Sequence, residues 1–203
     1  FTATDIAGNQ DFASFTVTIV DAEDPVMTAA ENKVVECDGE GNDSALQAWL
    51  ASHGNATATD NCTADGDLTW SNNFSALSDD CGATGSATVT FTVEDEAGNT
   101  SESTATFTIE DKTDPSMDTE SADLTVECDG DGNQAALAGW LSSNGGASAS
   151  DVCGGVTWSN NFESLSDLCG ATGAATVIFT ATDDCNNTTT TTATFTIEDK
   201  TDP

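Results

Sequence analysis

Ala105-Thr106-Phe107-Thr108-Ile109-Glu110-Asp111-Lys112-Thr113-Asp114-Pro115 returns letter for letter at Ala193 to Pro203. Apolar side chains alternate with Thr up to Ile109, which is the period-2 pattern of a strand with one buried face. Ala87-Thr88-Val89-Thr90-Phe91-Thr92-Val93, just upstream, alternates in the same way. The turn letters Glu96-Ala97-Gly98-Asn99 lie between the two runs and make them a hairpin. Each hairpin then ends in an acidic stretch closed by proline.

Working outward, the rest of the chain repeats as well. Val34-Val35-Glu36-Cys37-Asp38-Gly39 comes back as Thr125-Val126-Glu127-Cys128-Asp129-Gly130, shifted by 91 residues. Thr69-Trp70-Ser71-Asn72-Asn73-Phe74 comes back as Thr157 to Phe162, and Cys81-Gly82-Ala83-Thr84-Gly85 as Cys169 to Gly173, both shifted by 88. The shift changes because the first copy carries three extra residues near Thr63 to Asp67. Phe1 to Pro25 matches only the last part of a repeat. The expected organisation is therefore the C-terminal part of a preceding repeat at 1–25, a repeat at 26–115 and a repeat at 116–203, each large enough for a domain. The chain reads as a window on a longer tandem array.

One element departs from the strand pattern. Leu46, Trp49 and Leu50 fall at i, i+3 and i+4, with Asn42 to Ser44 as cap candidates and Gly54 as stop. Leu137, Trp140, Leu141 and Gly145 repeat it. The expected fold class is all-β: tandem immunoglobulin-like β-sandwich repeats of about 90 residues, each decorated by one short helix. Trp70 and Trp158 are expected to plug the cores.

The 203 residues include 36 Asp plus Glu against 3 Lys plus Arg, a formal net charge of −33. Such a charge makes a compact state repel itself and excludes nucleic acid, which needs a basic footprint. With 37% apolar residues in strand-like runs, the chain reads as folded with help from cations rather than disordered. No apolar run approaches the ~20 residues of a membrane span. Seven cysteines without a CxxC pair favour disulfides over a zinc or redox site.

The Glu-Cys-Asp-Gly strand end, the Asp-Asn-Cys or Asp-Val-Cys motif and the closing Phe-Thr-Ile-Glu-Asp-Lys-Thr-Asp-Pro together resemble the HYR-type, immunoglobulin-like repeats of giant Bacteroidetes cell-surface adhesins, of the SprB-like gliding-motility kind. The resemblance implies an extracellular, cell-surface location, stacking in long arrays and mechanical or adhesive service. Its fourth cysteine is present as Cys185, and Ala97 replaces it in the first repeat.

Acidic residues mark both ends of each repeat. Asp21, Glu23 and Asp24 precede Pro25, Asp111 and Asp114 precede Pro115, and Asp199 and Asp202 precede Pro203. The hairpin turns carry Asp95 and Glu96, or Asp183 and Asp184. In an end-to-end stack the linker of one domain meets the turns of the next, and hard oxygen ligands in that number suit calcium. The loops Asp38-Gly39-Glu40-Gly41-Asn42 and Asp129-Gly130-Asp131-Gly132-Asn133 resemble half of a calcium loop, making Asp38, Asp129 and Asp131 further ligand candidates; a turn capping the helix explains the same letters.

Four cysteines in one repeat allow three connectivities. The favoured one is Cys128–Cys169 with Cys153–Cys185, joining two turn motifs at one domain end, and Cys153–Cys169 stands as its rival. Copied to the first repeat it gives Cys37–Cys81 and leaves Cys62 unpaired. Asp43-Ser44-Ala45 resembles an O-glycosylation motif, with Ser44 as acceptor. His53, the one histidine, stands at a helix end where a cation meets the dipole favourably. No triad or carboxylate cleft assembles, so no enzyme is expected. The expected function is a calcium- and disulfide-stiffened stalk or filament segment whose partners are neighbouring repeats. The alternative is a module binding surface glycans or other cells.

Overall fold

The computed structural model describes residues 1–166 and 170–202. Its elements are built by the alternating runs. In the N-terminal segment, β1 (Thr2–Thr4) and β2 (Gln10–Phe12) form an antiparallel hairpin. The first full repeat contains β3 (Val26–Met27), β4 (Lys33–Glu36), α1 (Asp43–Ala51), β5 (Ala58–Thr59), β6 (Thr69–Asn72), β7 (Gly85–Glu94) and β8 (Thr100–Glu110). The second contains β9 (Ser116–Thr119), β10 (Leu124–Glu127), α2 (Gln134–Ser142), β11 (Ser148–Ser150), β12 (Val156–Asn160), β13 (Gly173–Asp183) and β14 (Thr188–Glu198).

Each repeat has one four-stranded sheet, β4-β8-β7-β6 or β10-β14-β13-β12, and a two-stranded ribbon, β3-β5 or β9-β11. The long hairpin is antiparallel, with Val89 opposite Ala105 and Phe91 opposite Ser103. The short β4 joins its edge in parallel, Val35 beside Ile109. Consequently the end of β4 and the end of β8 lie at the same end of the repeat, which fixes where Glu36 and Cys37 sit. The fold is tandem all-β, as the alternation implies.

The period-2 pattern puts Val89, Phe91, Val93, Phe107 and Ile109 at 0–3% exposure, with Val177, Phe179, Phe195 and Ile197 matching them. The opposite face carries threonines in cross-strand pairs, such as Thr88 with Thr106 and Thr176 with Thr194. One expectation holds in the core and one is corrected. The one short helix expected in each repeat is present and packs inward: Leu46 and Trp49 insert into the sandwich, and the Trp49 ring meets Phe91 edge-on at 5.2 Å and Phe107 at 5.5 Å. Trp49 Nε1 donates to Glu31 O at 2.9 Å, so the indole is buried without an orphaned donor. Trp140 repeats this with Phe179, Phe195 and Ala122 O. Trp70, by contrast, is only half-buried and stacks on His53 with ring centroids 4.1 Å apart. Burial lowers the His53 pKa, which disfavours the cation that the helix end would attract.

In the N-terminal segment Phe1, Phe15, Val17 and Ile19 are exposed, at 86, 67, 72 and 92%. They occupy the sequence positions of Phe91, Ala105, Phe107 and Ile109, which are core in the full repeat. Among the described residues, no helix or further strand covers this hairpin.

Candidate metal centre and junction

Between the two full repeats the chain runs through Asp111-Lys112-Thr113-Asp114-Pro115, and this linker is held by both neighbours. Glu36 Oε1 accepts from Lys112 N at 2.9 Å and from the Thr113 hydroxyl at 2.7 Å. Those bonds, the Lys112 one foremost, lower the Glu36 pKa. From the other side, Asn187 Nδ2 donates to Asp111 O at 3.2 Å and Thr188 N to Asp114 Oδ1 at 3.3 Å. Glu127 holds Lys200 and Thr201 as Glu36 holds Lys112 and Thr113.

The disulfides cross this junction. Cys37 pairs with Cys153 and Cys81 with Cys185, with Cα–Cα distances of 6.0 and 5.1 Å. The expected Cys37–Cys81 and Cys153–Cys185 pairs are therefore corrected: the same four cysteines bond, with partners exchanged between repeats. Cys37 and Cys81 lie at the linker end of the first repeat, Cys153 and Cys185 at the facing end of the second, and all four meet. Spacing within a repeat carries no information about register across a junction. Among the described residues, Cys62 and Cys128 have no disulfide partner. The expected Cys128–Cys169 pair and its rival involve Cys169, which lies outside the described residues; Cys153 is taken by Cys37 in either case.

Two glycines permit the approach. A Cβ on Gly39 (φ 76°) would lie 2.5 Å from Val152 O, and one on Gly82 (φ 55°) 2.2 Å from Cys153 O. No side chain fits there, and Ala83 N donates to Cys153 O at 2.6 Å beside it. Every residue of Glu36-Cys37-Asp38-Gly39 thus serves the joint or the loop beside it. Glu36 anchors the linker, Cys37 makes the bridge, Asp38 folds the next loop and Gly39 clears space.

Acidic side chains converge at both junctions. Asp21, Asp60 and Asp95 have carboxylate oxygens within 4.8 Å of one another, and Asp111 and Asp151 do the same beside Cys153 Sγ. In the second group the sulfur is in a disulfide, so it offers no thiolate. Asp183 stands where Asp95 stands, at 5% exposure for both. Asp95 Oδ1 accepts from Ala97 N and Asn99 N, and Oδ2 from Asn99 Nδ2 at 2.7 Å. Burial opposes its ionisation, but these bonds together outweigh burial and lower its pKa. Asp183 repeats the loop through Cys185 N, Asn187 N and Asn187 Nδ2. A carboxylate has about four lone-pair sites, so both remain able to bind a cation.

Asp111 is the strained member. Burial first, then the charges of Asp151, Asp183 and Glu36, raise its pKa, while the Thr113 N–H pulls it down. At the other junction Asp21 Oδ2 is buried with no hydrogen-bond partner among the described residues. An anionic oxygen left so, beside two more carboxylates, fits a hard cation better than it fits protein alone.

Of the sequence-derived ligand candidates, Asp21 and Asp95 meet in the first group and Asp111 in the second; Asp183 lies outside both groups, and its charge helps raise the Asp111 pKa. Asp60 and Asp151 were not among the candidates, although both occupy the same position two residues before a cysteine, in Asp60-Asn61-Cys62 and Asp151-Val152-Cys153. Glu23, Asp24, Glu96, Asp114, Asp184, Asp199 and Asp202 are exposed and outside both groups. Some have other duties: Glu23 accepts from Asn61 Nδ2 at 2.5 Å, and Asp184 from Gly155 N at 2.8 Å. Asp38 and Asp129 spend their carboxylates on loop N–H groups, Glu40 and Asn42 or Asp131 and Asn133, which lowers both pKa values. Those loops shape the helix start. Asp131 is exposed there, and Ser44 is exposed in the first turn of α1.

No family model matches the chain, and no curated protein matches it. Several solved structures are similar in part. The human desmocollin-1 ectodomain matches at 13% identity over 88% of this chain and 42% of its own, with a TM-score of 0.31. Drosophila N-cadherin EC1-4 matches at 9% over 87% and 50%, with 0.31, and mouse clustered PcdhgC3 EC1-3 at 12% over 57% and 42%, with 0.27. The chain spans half or less of each. With TM-scores near 0.3 these overlaps are loose. No helix among the described residues is long and apolar enough to cross a membrane.

Proposed function

We propose that the chain is a stalk or filament segment of a large extracellular, cell-surface adhesin, built from HYR-type repeats at 26–115 and 116–203. Its joints are stiffened by disulfides and by calcium held among Asp21, Asp60 and Asp95, and among Asp111, Asp151 and Asp183. The observation that carries the reading is the unpartnered, buried Asp21 Oδ2 inside a three-carboxylate cluster. A divalent cation there would remove both the desolvation cost and the mutual repulsion. Disulfides across the junction support the mechanical part, since they transmit tension from one repeat to the next. They also fit an oxidising, extracellular compartment. The repeat acts by holding its neighbours and has no catalytic step.

Small-angle scattering in calcium and in chelator tests this. Strands of 10 and 11 residues give units of about 35 Å, so residues 26–203 should extend to roughly 70 Å in calcium. A compact particle in calcium, with the two repeats side by side, would refute the stalk.

A further inference from the structure

Cys62 and Cys128 have occupied twins. Cys62 lies at the position of Cys153, and Cys128 at the position of Cys37. Cys37 and Cys153 are bonded to each other and buried, at 8 and 5% exposure. Cys128 is half-buried and Cys62 exposed. The surroundings differ in the same way. Gly39 and Gly82 are closed over by Val152 and Cys153 of the following repeat, whereas a Cβ on their counterparts Gly130 and Gly170 would meet nothing within 4 Å among the described residues. Glu127 already holds Lys200 and Thr201 as Glu36 holds the linker, so the linker at this end is set for the same crossing. The surface around Cys128 is thus a preformed copy of the one that receives the second repeat.

We propose that Cys128 and Cys62 are the two halves of one recurring inter-repeat disulfide: Cys128 bonds the Cys62-type cysteine of a further repeat seated on Gly130 and Gly170. The occupant is a repeat of this same kind. The second bridge is not universal, because Ala97 stands where Cys185 stands. A repeat of the first type therefore accepts one bridge from its predecessor, and a repeat of the second type accepts two. Joints of alternating covalent strength would follow along an array. Bond formation needs an oxidant of the disulfide class, such as oxidised glutathione. The two cysteine thiols give up two electrons and two protons, one S–S bond forms between them, and the glutathione disulfide is reduced to two thiols.

A tandem protein tests the pairing: the whole chain, followed directly after Pro203 by a second copy of residues 26–203. The join reproduces the Asp-Pro-Val sequence of 24–26, and the last hairpin of the first copy takes the place of the N-terminal segment. The tandem is oxidised in a glutathione buffer at mildly alkaline pH. That pH is needed because the thiolate is the attacking species in thiol–disulfide exchange. Non-reducing peptide mapping should find Cys128 of the first copy joined to Cys62 of the second, and Cys128 of that first copy should lose its reactivity to alkylation. Placing Cys62→Ser in the second copy only should restore that reactivity and leave the Cys37–Cys153 peptides in both copies. Their presence also shows that each copy has folded. Alkylation of first-copy Cys128 in the oxidised tandem, or its recovery bonded to any other cysteine, overturns the proposal. The inference does not depend on calcium. The calcium reading can fail with this pairing intact, and the reverse.

Discussion

Replacing Asp111 with Asn should change stability in opposite directions with and without calcium. The Asp111 and Asp151 oxygens lie within 4.8 Å of each other. At that separation two unit charges repel by roughly 3.5 kcal/mol at an effective dielectric of about 20, and by roughly 0.9 kcal/mol in bulk water. Both residues are half-exposed, so the lower end applies and the metal-free protein should gain about 1 kcal/mol from the substitution. Asn keeps the acceptor for Thr113 N, which Asp111 Oδ1 now serves at 3.1 Å, so the turn survives. For a cooperative unit of this size the gain is a rise in Tm of about 2–4 °C in EDTA. In calcium at 100 times Kd the parent gains about 2.7 kcal/mol per site. The variant has lost one anionic ligand, so it should melt below the parent. Scanning calorimetry of both proteins in both buffers reads the crossing. A variant that melts lower than the parent in EDTA as well as in calcium would show that the carboxylates are not in uncompensated repulsion.

Other outcomes follow from the same structure. Trypsin cuts after Lys112, so digestion in denaturant should leave 34–112 joined to 113–200 until reductant is added; separation without reductant would mean that the bridges lie within repeats. Trp49→Ala should cost about 3–5 kcal/mol in urea unfolding, as a buried aromatic, and Trp70→Ala distinctly less; equal losses would contradict the core assignment. The Asp111 pKa is raised in the folded chain, so the folded state holds its proton more tightly than the unfolded. In chelator, its unfavourable contribution is present above the raised pKa and fades as pH falls toward the unfolded value of 3.8. Calcium and protons compete there, so calcium affinity should fall as pH drops through the same window; an affinity independent of pH between 7 and about 4 contradicts this.

The sequence made the architecture readable because a repeat is compared with itself, and the alternation in Ala87–Val93 and Ala105–Ile109 names its buried face directly. Leu46 and Trp49 were readable as a helix stripe by their spacing. Their depth in the core was not, because periodicity says which side faces inward and not what it meets. The same limit misplaced Trp70, whose strand is the sheet edge farthest from β4. Asp60 and Asp151 were hidden in plain view: next to a cysteine they read as part of a disulfide motif, and only the fold brings them to Asp21 and Asp111. The disulfide partners were the least legible. They depend on how one repeat sits on the next, and no spacing inside a repeat encodes that.

Calorimetric titration of the oxidised chain with calcium at neutral pH tests the central claim most directly. The two acidic clusters predict two sites per chain, and Asp21→Asn with Asp111→Asn in one protein should abolish both while the far-ultraviolet spectrum stays that of the parent. No heat of binding up to millimolar calcium, or binding that persists unchanged in the double variant, would contradict the account.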